Sequence, residues 1–213
     1  METGEADERA AAHALLAAEA EALGRAEPRF ADIVAAHGLP EPRVSPRGPA
    51  GLLRAIVGQQ VSIHAARAIW ERVERAVGDP SDPAALLAAD GAALRAAGLS
   101  RQKVAYVESL AATLVSGALP IDALPGDDEA AIARIVQVKG LGRWTAEIYL
   151  LFAEGRRDVL PAGDLALQVA AGRVFGLAER PAERALRAMG AAWAPWRGAA
   201  AHLLWHAYRL EPV

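Results

Sequence analysis

Residues 140 to 142 read Gly-Leu-Gly and stand between two apolar patterns of helical period. Two helices joined this closely must reverse direction sharply. Glycine supplies the positive φ and the close backbone approach that such a turn needs. The middle of the chain is therefore expected to hold a tight antiparallel helical hairpin. Ala and Leu are abundant, β-branched runs are few, and no alternating strand pattern of any length occurs. An all-α fold is expected throughout.

The remaining apolar periodicity predicts further helices. One covers 5–24, with Leu15, Leu16 and Leu23 inward and Gly24 as its stop. Phe30, Ile33 and Val34 mark a second, closed by Gly38 and Pro40. Residues 39–51 hold four prolines and two glycines and read as a loop and boundary. Leu52, Leu53, Ile56 and Val57 make one periodic set, and Val61, Ala65, Ala68 and Ile69 another. A turn at 78–83 offers Ser81 or Asp82 as a helix cap, and 98–103 is a break. Asp127 is the expected N-cap of a helix over 129–138. Helices over 143–153, 164–175, 181–190 and 196–209 complete the reading.

Composition limits what such a chain does. A length of 213 residues suits one large domain or two small ones. With no cysteine, disulfides, thiolate zinc sites and cysteine-bound iron–sulfur clusters are excluded. No uncharged apolar run reaches about 18 residues, so no membrane span is expected. The acidic first 24 residues lack the basic start of a signal peptide, which makes a cytoplasmic protein the expectation. The formal net charge is −3. A nucleic-acid partner would have to be held by a local patch or by backbone donors.

The hairpin offers such a patch. Its second helix begins with unpaired N–H groups and the positive end of a helix dipole, which suit a phosphate. Lys139, Gly140, Gly142, Arg143 and Thr145 are the candidate DNA-backbone contacts. Gly-x-Gly by itself is a weak pattern, and on it alone a plain helical corner is the simpler reading.

Three further stretches change that balance. The segment "VKGLGRWTAEIYLLFA" resembles the helix-hairpin-helix of the DNA base-excision glycosylases, and "DVLPAGDLALQ" (158–168) resembles the loop and aspartate that complete that superfamily's signature. "RAIVGQQVSIHAA" (54–66) and "WAPWRGAAAHLLW" (193–205) resemble its DNA-3-methyladenine glycosylase II branch. The ordered set covers about three-quarters of the chain. By this resemblance Asp164 is the catalytic carboxylate, in addition to the N-cap role its position suggests. Bifunctional members of the superfamily carry a lysine where this chain has Trp144, so a monofunctional hydrolase without lyase activity is expected.

The resemblance implies the rest of a site. Gln60, with Gln59 beside it, matches the wedge that replaces an extruded base; other members carry leucine there. Trp205 and Trp144 are expected as stacking walls of the base pocket, with Ile148 where the family has a further aromatic. Arg197 is expected to support the Asp164 loop or to touch a phosphate, and His202 and His206 lack a third metal ligand. No cofactor is expected beyond a structural Na+ or K+ on the hairpin carbonyls of Val136, Val138 and Leu141. The implied architecture joins 1–52 and 164–213 in one discontinuous lobe. A hairpin lobe covers 53–163, and the family places the aspartate in a DNA-binding cleft between the lobes. The expected partner is damaged double-stranded DNA, bound by a monomer in the cytoplasm at the nucleoid. Two other readings stay open: a non-enzymatic hairpin clamp on DNA, and a glycosylase for deaminated or mismatched bases.

Overall fold

A computed structural model describes residues 2–210, with side chains for all of these except 2–8 and 63. Among the described residues there are α-helices and short 3-10 turns but no strand. In chain order the helices are α1 (Glu2–Ala26), α2 (Pro28–His37), α3 (Gly48–Gly58), α4 (Ile63–Val77), α5 (Pro83–Ala88), α6 (Gly91–Ala96), α7 (Arg101–Val115), α8 (Asp128–Ile135), α9 (Arg143–Phe152), α10 (Leu165–Val174), α11 (Glu183–Gly190) and α12 (Arg197–Leu210). None of them is long and apolar enough to cross a membrane.

The chain forms two compact units, one of Met1–Val44 with Gly155–Val213 and one of Ser45–Glu154. The divisions thus fall at 44/45 and 154/155, not at the expected 52/53 and 163/164. The proline-rich loop assigned to the first boundary contains the division, but its last residues, 48–51, already belong to helix α3. Pro49 sits in the first turn of that helix, where its missing N–H has no intrahelical partner to lose.

In the discontinuous unit α12 packs on α10, α1 and α2. Ala199, Ala200, Ala201 and Ala207 of α12 are buried with Leu203 and Leu204, and small side chains allow close contact with Ala170 and Ala171 of α10. Phe30, Phe175 and Trp193 form an aromatic cluster, with Trp193 5.2 Å from Phe30 edge-to-face and 5.5 Å from Phe175 in a stack. Gly24 does not end α1 as expected. The helix runs on to Ala26, and a Cβ at Gly24 would lie 3.0 Å from the Cβ of Ala31. The glycine lets α2 approach α1, and the break comes at Glu27, whose carboxylate caps α2 ahead of Pro28.

In the continuous unit α3 is apolar nearly all round and packs against α4, α7 and α9. Tyr149 of α9 is buried against it, and its hydroxyl accepts the Gly48 N–H at 3.0 Å. Burial pushes the Tyr149 hydroxyl up to about 12, so it stays protonated at neutral pH. Asp82 and Asp127 cap α5 and α8 as expected. Helix α8 stops at Ile135, three residues before the expected Val138, so the hairpin connection spans 136–142. Gly140 has φ +92, and a Cβ there would lie 2.1 Å from the ring of Tyr106 on α7.

Two penalties therefore fall on Gly140→Ala: left-handed strain of about 1–3 kcal/mol and overpacking of about 1–3 kcal/mol. Gly117 also has a positive φ, +73, but faces open space. Urea unfolding is expected to show Gly140→Ala as clearly the more destabilised of the two, and Tyr106→Ala to recover part of the difference. Equal midpoints for the two glycine variants would contradict the packing role of Tyr106.

Candidate active site and hairpin

Asp164 is the N-cap of α10, and its Oδ1 accepts the backbone N–H of Leu167 at 3.1 Å. The same oxygen accepts the indole N–H of Trp205, on α12, at 3.1 Å. Two donors from two helices thus aim one carboxylate. The loop that delivers it is fixed at both ends. Arg197, the first residue of α12, holds Asp158 with paired bonds of 2.8 and 2.9 Å, which meets the expectation that it supports this loop. Gln168, buried on α10, donates to the Ala162 carbonyl at 2.9 Å and accepts from Arg180 at 3.0 Å. Arg187 reaches the Leu160 carbonyl at 3.4 Å.

Trp205 does not present the open stacking face expected of it. It is 5% exposed. Its N–H is engaged by Asp164, and the guanidinium of Arg43 lies 5.1 Å from its ring centroid. His202 stands edge-on to the ring at 6.3 Å and bonds the Gly198 carbonyl through Nδ1. Burial pushes His202 below its ordinary value, so the ring is neutral at pH 7. Burial also lowers Arg43, as does the charge of Arg209, while the charge of Asp164 opposes both.

The hairpin is built in the other unit. Gly142 is the N-cap of α9 and brings no side-chain acceptor, so the helix presents its first N–H groups uncapped. Lys139 is exposed ahead of the turn, and Gly142 is exposed as well. Arg143 departs from the expected phosphate contact. Its guanidinium pairs with both carboxylate oxygens of Glu129, one at 2.9 Å, and with Glu147 at 2.9 Å. These contacts raise its proton affinity, led by the Glu129 hydrogen bond, and they balance its charge. Thr145 is 3% exposed, and its hydroxyl turns inward, so its side chain is not a surface contact.

Gln59 and Gln60 also separate. Gln59 donates through Nε2 to the Gly140 carbonyl at 3.0 Å and to the Thr145 hydroxyl at 3.2 Å. This tether to the hairpin leaves Gln59 no freedom to act as a wedge. Gln60 is exposed with φ +53, the left-handed region that a non-glycine residue rarely occupies. Trp144 and Ile148, one helical turn apart on α9, line a cavity of about 130 Å³ with Arg54 and Gly58. Of the carbonyl-bearing hairpin residues, Val138 and Leu141 have buried side chains, and the Val138 oxygen accepts the Leu141 N–H at 3.0 Å. A carbonyl has a second lone pair, so this bond does not bar a cation from the Val136, Val138 and Leu141 oxygens. The described side chains contain no group of three or more His, Cys, Asp or Glu that could hold a metal ion.

Sequence periodicity gave no sign of Arg43, Gln168, Arg180 or Tyr106. Arg43 lies in an irregular loop and Trp205 far along the chain, so no local spacing links them. Gln168 was within a quoted motif, but its partner Ala162 is known only once the loop has folded.

Residues 53–195 match the family described as HhH-GPD superfamily base excision DNA repair protein. The chain is 34% identical over 163 residues to DNA-3-methyladenine glycosylase 1 of Schizosaccharomyces pombe, covering 75% of this chain and 72% of that one. It is 33% identical over 171 residues to DNA-3-methyladenine glycosylase 2 of Escherichia coli, with 75% of this chain and 57% of that protein covered. The crystal structure of a DNA-3-methyladenine glycosidase from Bacillus halodurans superposes with a TM-score of 0.76 at 33% identity, over 89% of this chain and 88% of that one. The S. pombe 3-methyladenine DNA glycosylase in complex with abasic DNA gives a TM-score of 0.76 at 32% identity, over 83% and 89% of the two chains. With its aspartate-capped helix, its glycine hairpin and these likenesses together, the chain belongs to the HhH-GPD superfamily of base excision DNA repair proteins.

Proposed function

We propose that the chain is a monofunctional DNA glycosylase. It removes alkylated purines of the 3-methyladenine type from damaged double-stranded DNA by hydrolysing the N-glycosidic bond. The observation that carries this reading is the aim of Asp164, whose Oδ1 is held by the Trp205 indole and the Leu167 amide. When the glycosidic bond breaks, the sugar becomes oxocarbenium-like and positive. A carboxylate about 4 Å away, at an effective dielectric near 20, stabilises that charge by about 4 kcal/mol. Such a stabilisation corresponds to roughly 10³-fold in rate. This suits a base that is already a good leaving group. Water then adds to C1′ and an abasic site remains.

Trp144 supports the absence of a lyase step, since an indole cannot form a Schiff base with the sugar. Gln60 is the proposed wedge, because it is exposed and its backbone is already held in a strained conformation. Trp144 and Ile148 are proposed to meet the extruded base. The uncapped start of α9, with Gly140, Gly142 and the exposed Lys139, would hold a DNA phosphate without reading sequence. A Na+ or K+ on the hairpin carbonyls would brace this turn and take no part in bond breaking. A monomer at the nucleoid is the corresponding cellular form.

Asp164→Asn is expected to abolish base release from methylated duplex DNA while duplex binding persists. Borohydride is expected to trap no covalent adduct. Base release that survives the substitution would remove Asp164 from catalysis. A wild type that binds DNA and releases no base would leave only a clamp.

The paired state of Arg143 sets a second expectation. In a plot of log affinity against log salt, Lys139→Ala should reduce the slope by about 1. Arg143→Ala should change it much less, because Glu129 and Glu147 already balance that charge. Equal losses of slope would show that Arg143 exchanges its carboxylates for phosphate.

A further inference from the structure

The turn that bears Gln60 is held from outside its own two helices. Helix α3 ends at Gly58, Gln59 is extended at φ −61 and ψ 129, Gln60 turns left-handed, and Ser62 caps α4 by accepting the Ala65 N–H. Lys103 of α7 donates through Nζ to the Val57 carbonyl at 2.8 Å, which sets a cation at the negative end of α3. Gln59 bridges both sides of the Gly-Leu-Gly turn. Its Nε2 donates to the carbonyl of Gly140, the first glycine, at 3.0 Å and to the hydroxyl of Thr145, in the first turn of α9, at 3.2 Å. The Gly140 carbonyl can only accept, so the amide nitrogen is the end that faces it, and the two bonds use both of its hydrogens. Gly140 is itself fixed, at φ +92 against the ring of Tyr106, which stands on α7 about one helical turn beyond Lys103. A left-handed glutamine persists only where its surroundings over-determine it. A corner between α3 and α4 could close on local bonds alone. The Gln59 bonds instead span 81 and 86 positions and fix the corner to the segment proposed to hold phosphate.

We propose that Gln59 is a positioning residue that couples the hairpin's grip on a DNA phosphate to insertion of Gln60, and that this coupling matters most for alkylated purines still paired in the duplex. The inference rests on the glycosylase reading and its wedge assignment and deepens both. Insertion offsets the cost of unpairing and unstacking the damaged nucleotide, a cost that is smallest where the base is already mispaired. With Gln59 in place, a phosphate held at the start of α9 fixes where the Gln60 side chain meets the base stack. Without it the phosphate is still held, but the energy of holding it no longer opposes withdrawal of the wedge. Gln59 touches neither sugar nor base in this account and acts only through Gln60.

The test compares kcat/KM for 7-methylguanine opposite cytosine and mispaired with adenine, with the wild type, Gln59→Ala, Gln60→Ala and the double variant. Gln59→Ala is expected to lower release from the cytosine duplex on the order of tenfold, the loss of two neutral hydrogen bonds. Release from the mispair is expected to fall only about twofold, because less unpairing is needed there. In the Gln60→Ala background the same change should have no further effect, since the residue it acts through is gone. Gln59→Glu keeps the length of the side chain and can accept the Thr145 hydroxyl, but its carboxylate repels the Gly140 carbonyl. It should show the same dependence on pairing, and it carries the test if the alanine variant does not fold. Equal losses on the two duplexes, full additivity with Gln60→Ala, or a Gln60→Ala variant as active as the wild type overturns the inference and leaves the glycosylase reading standing. A wild type that releases 7-methylguanine from neither duplex overturns both.

Discussion

One hydrogen bond, from the Trp205 indole to Asp164 Oδ1, organises the discontinuous unit. It joins α12 to the N-cap residue of α10, 41 positions earlier. Most of what surrounds it serves to make that contact reproducible. The alanine-rich face of α12 brings the helix close to α10, and Arg197 fixes the start of the loop through Asp158. Gln168 fixes the end of the loop through the Ala162 carbonyl. A carboxylate held by two N–H donors needs little reorganisation when positive charge forms beside it, and this is where electrostatic catalysis gains over water.

The second unit meets a different constraint. A chain with a net charge of −3 gains nothing from its overall field when it approaches DNA. On the proposed reading the hairpin would meet this with backbone donors, and part of its positive side-chain charge is already committed within the protein. Arg143 is paired twice, whereas Lys139 stands exposed. Gln59 ties the turn that bears Gln60 to the hairpin backbone, so the proposed wedge and the proposed phosphate grip share one rigid support within the unit.

Helices, caps and the hairpin were legible because their causes are local. Apolar spacing marks the buried faces, and Asp82, Asp127 and Asp164 each precede a helix whose N–H groups they accept. Gly140 was legible as a turn, but the Tyr106 ring that makes glycine necessary there comes from α7. The pairing of Arg143 with Glu147 follows helical i,i+4 spacing and could have been read, and Glu129 lies across the hairpin connection. Gly24 misled because a helix-breaking residue also serves close packing, and only the neighbouring Ala31 distinguishes the two uses. Arg43 on Trp205 had no sequence signal, since a cation and an indole so far apart obey no period.

The central claim is that the carboxylate of Asp164 answers positive charge on the sugar. It is tested most directly by the affinity of wild type and Asp164→Asn for two duplexes, one carrying a cationic pyrrolidine in place of the damaged nucleotide and one carrying neutral tetrahydrofuran. The wild type is predicted to prefer the cation by a factor approaching 10³, the equivalent of about 4 kcal/mol. The asparagine variant is predicted to lose that preference while binding tetrahydrofuran duplex unchanged. A preference of the same size in both proteins would contradict the account.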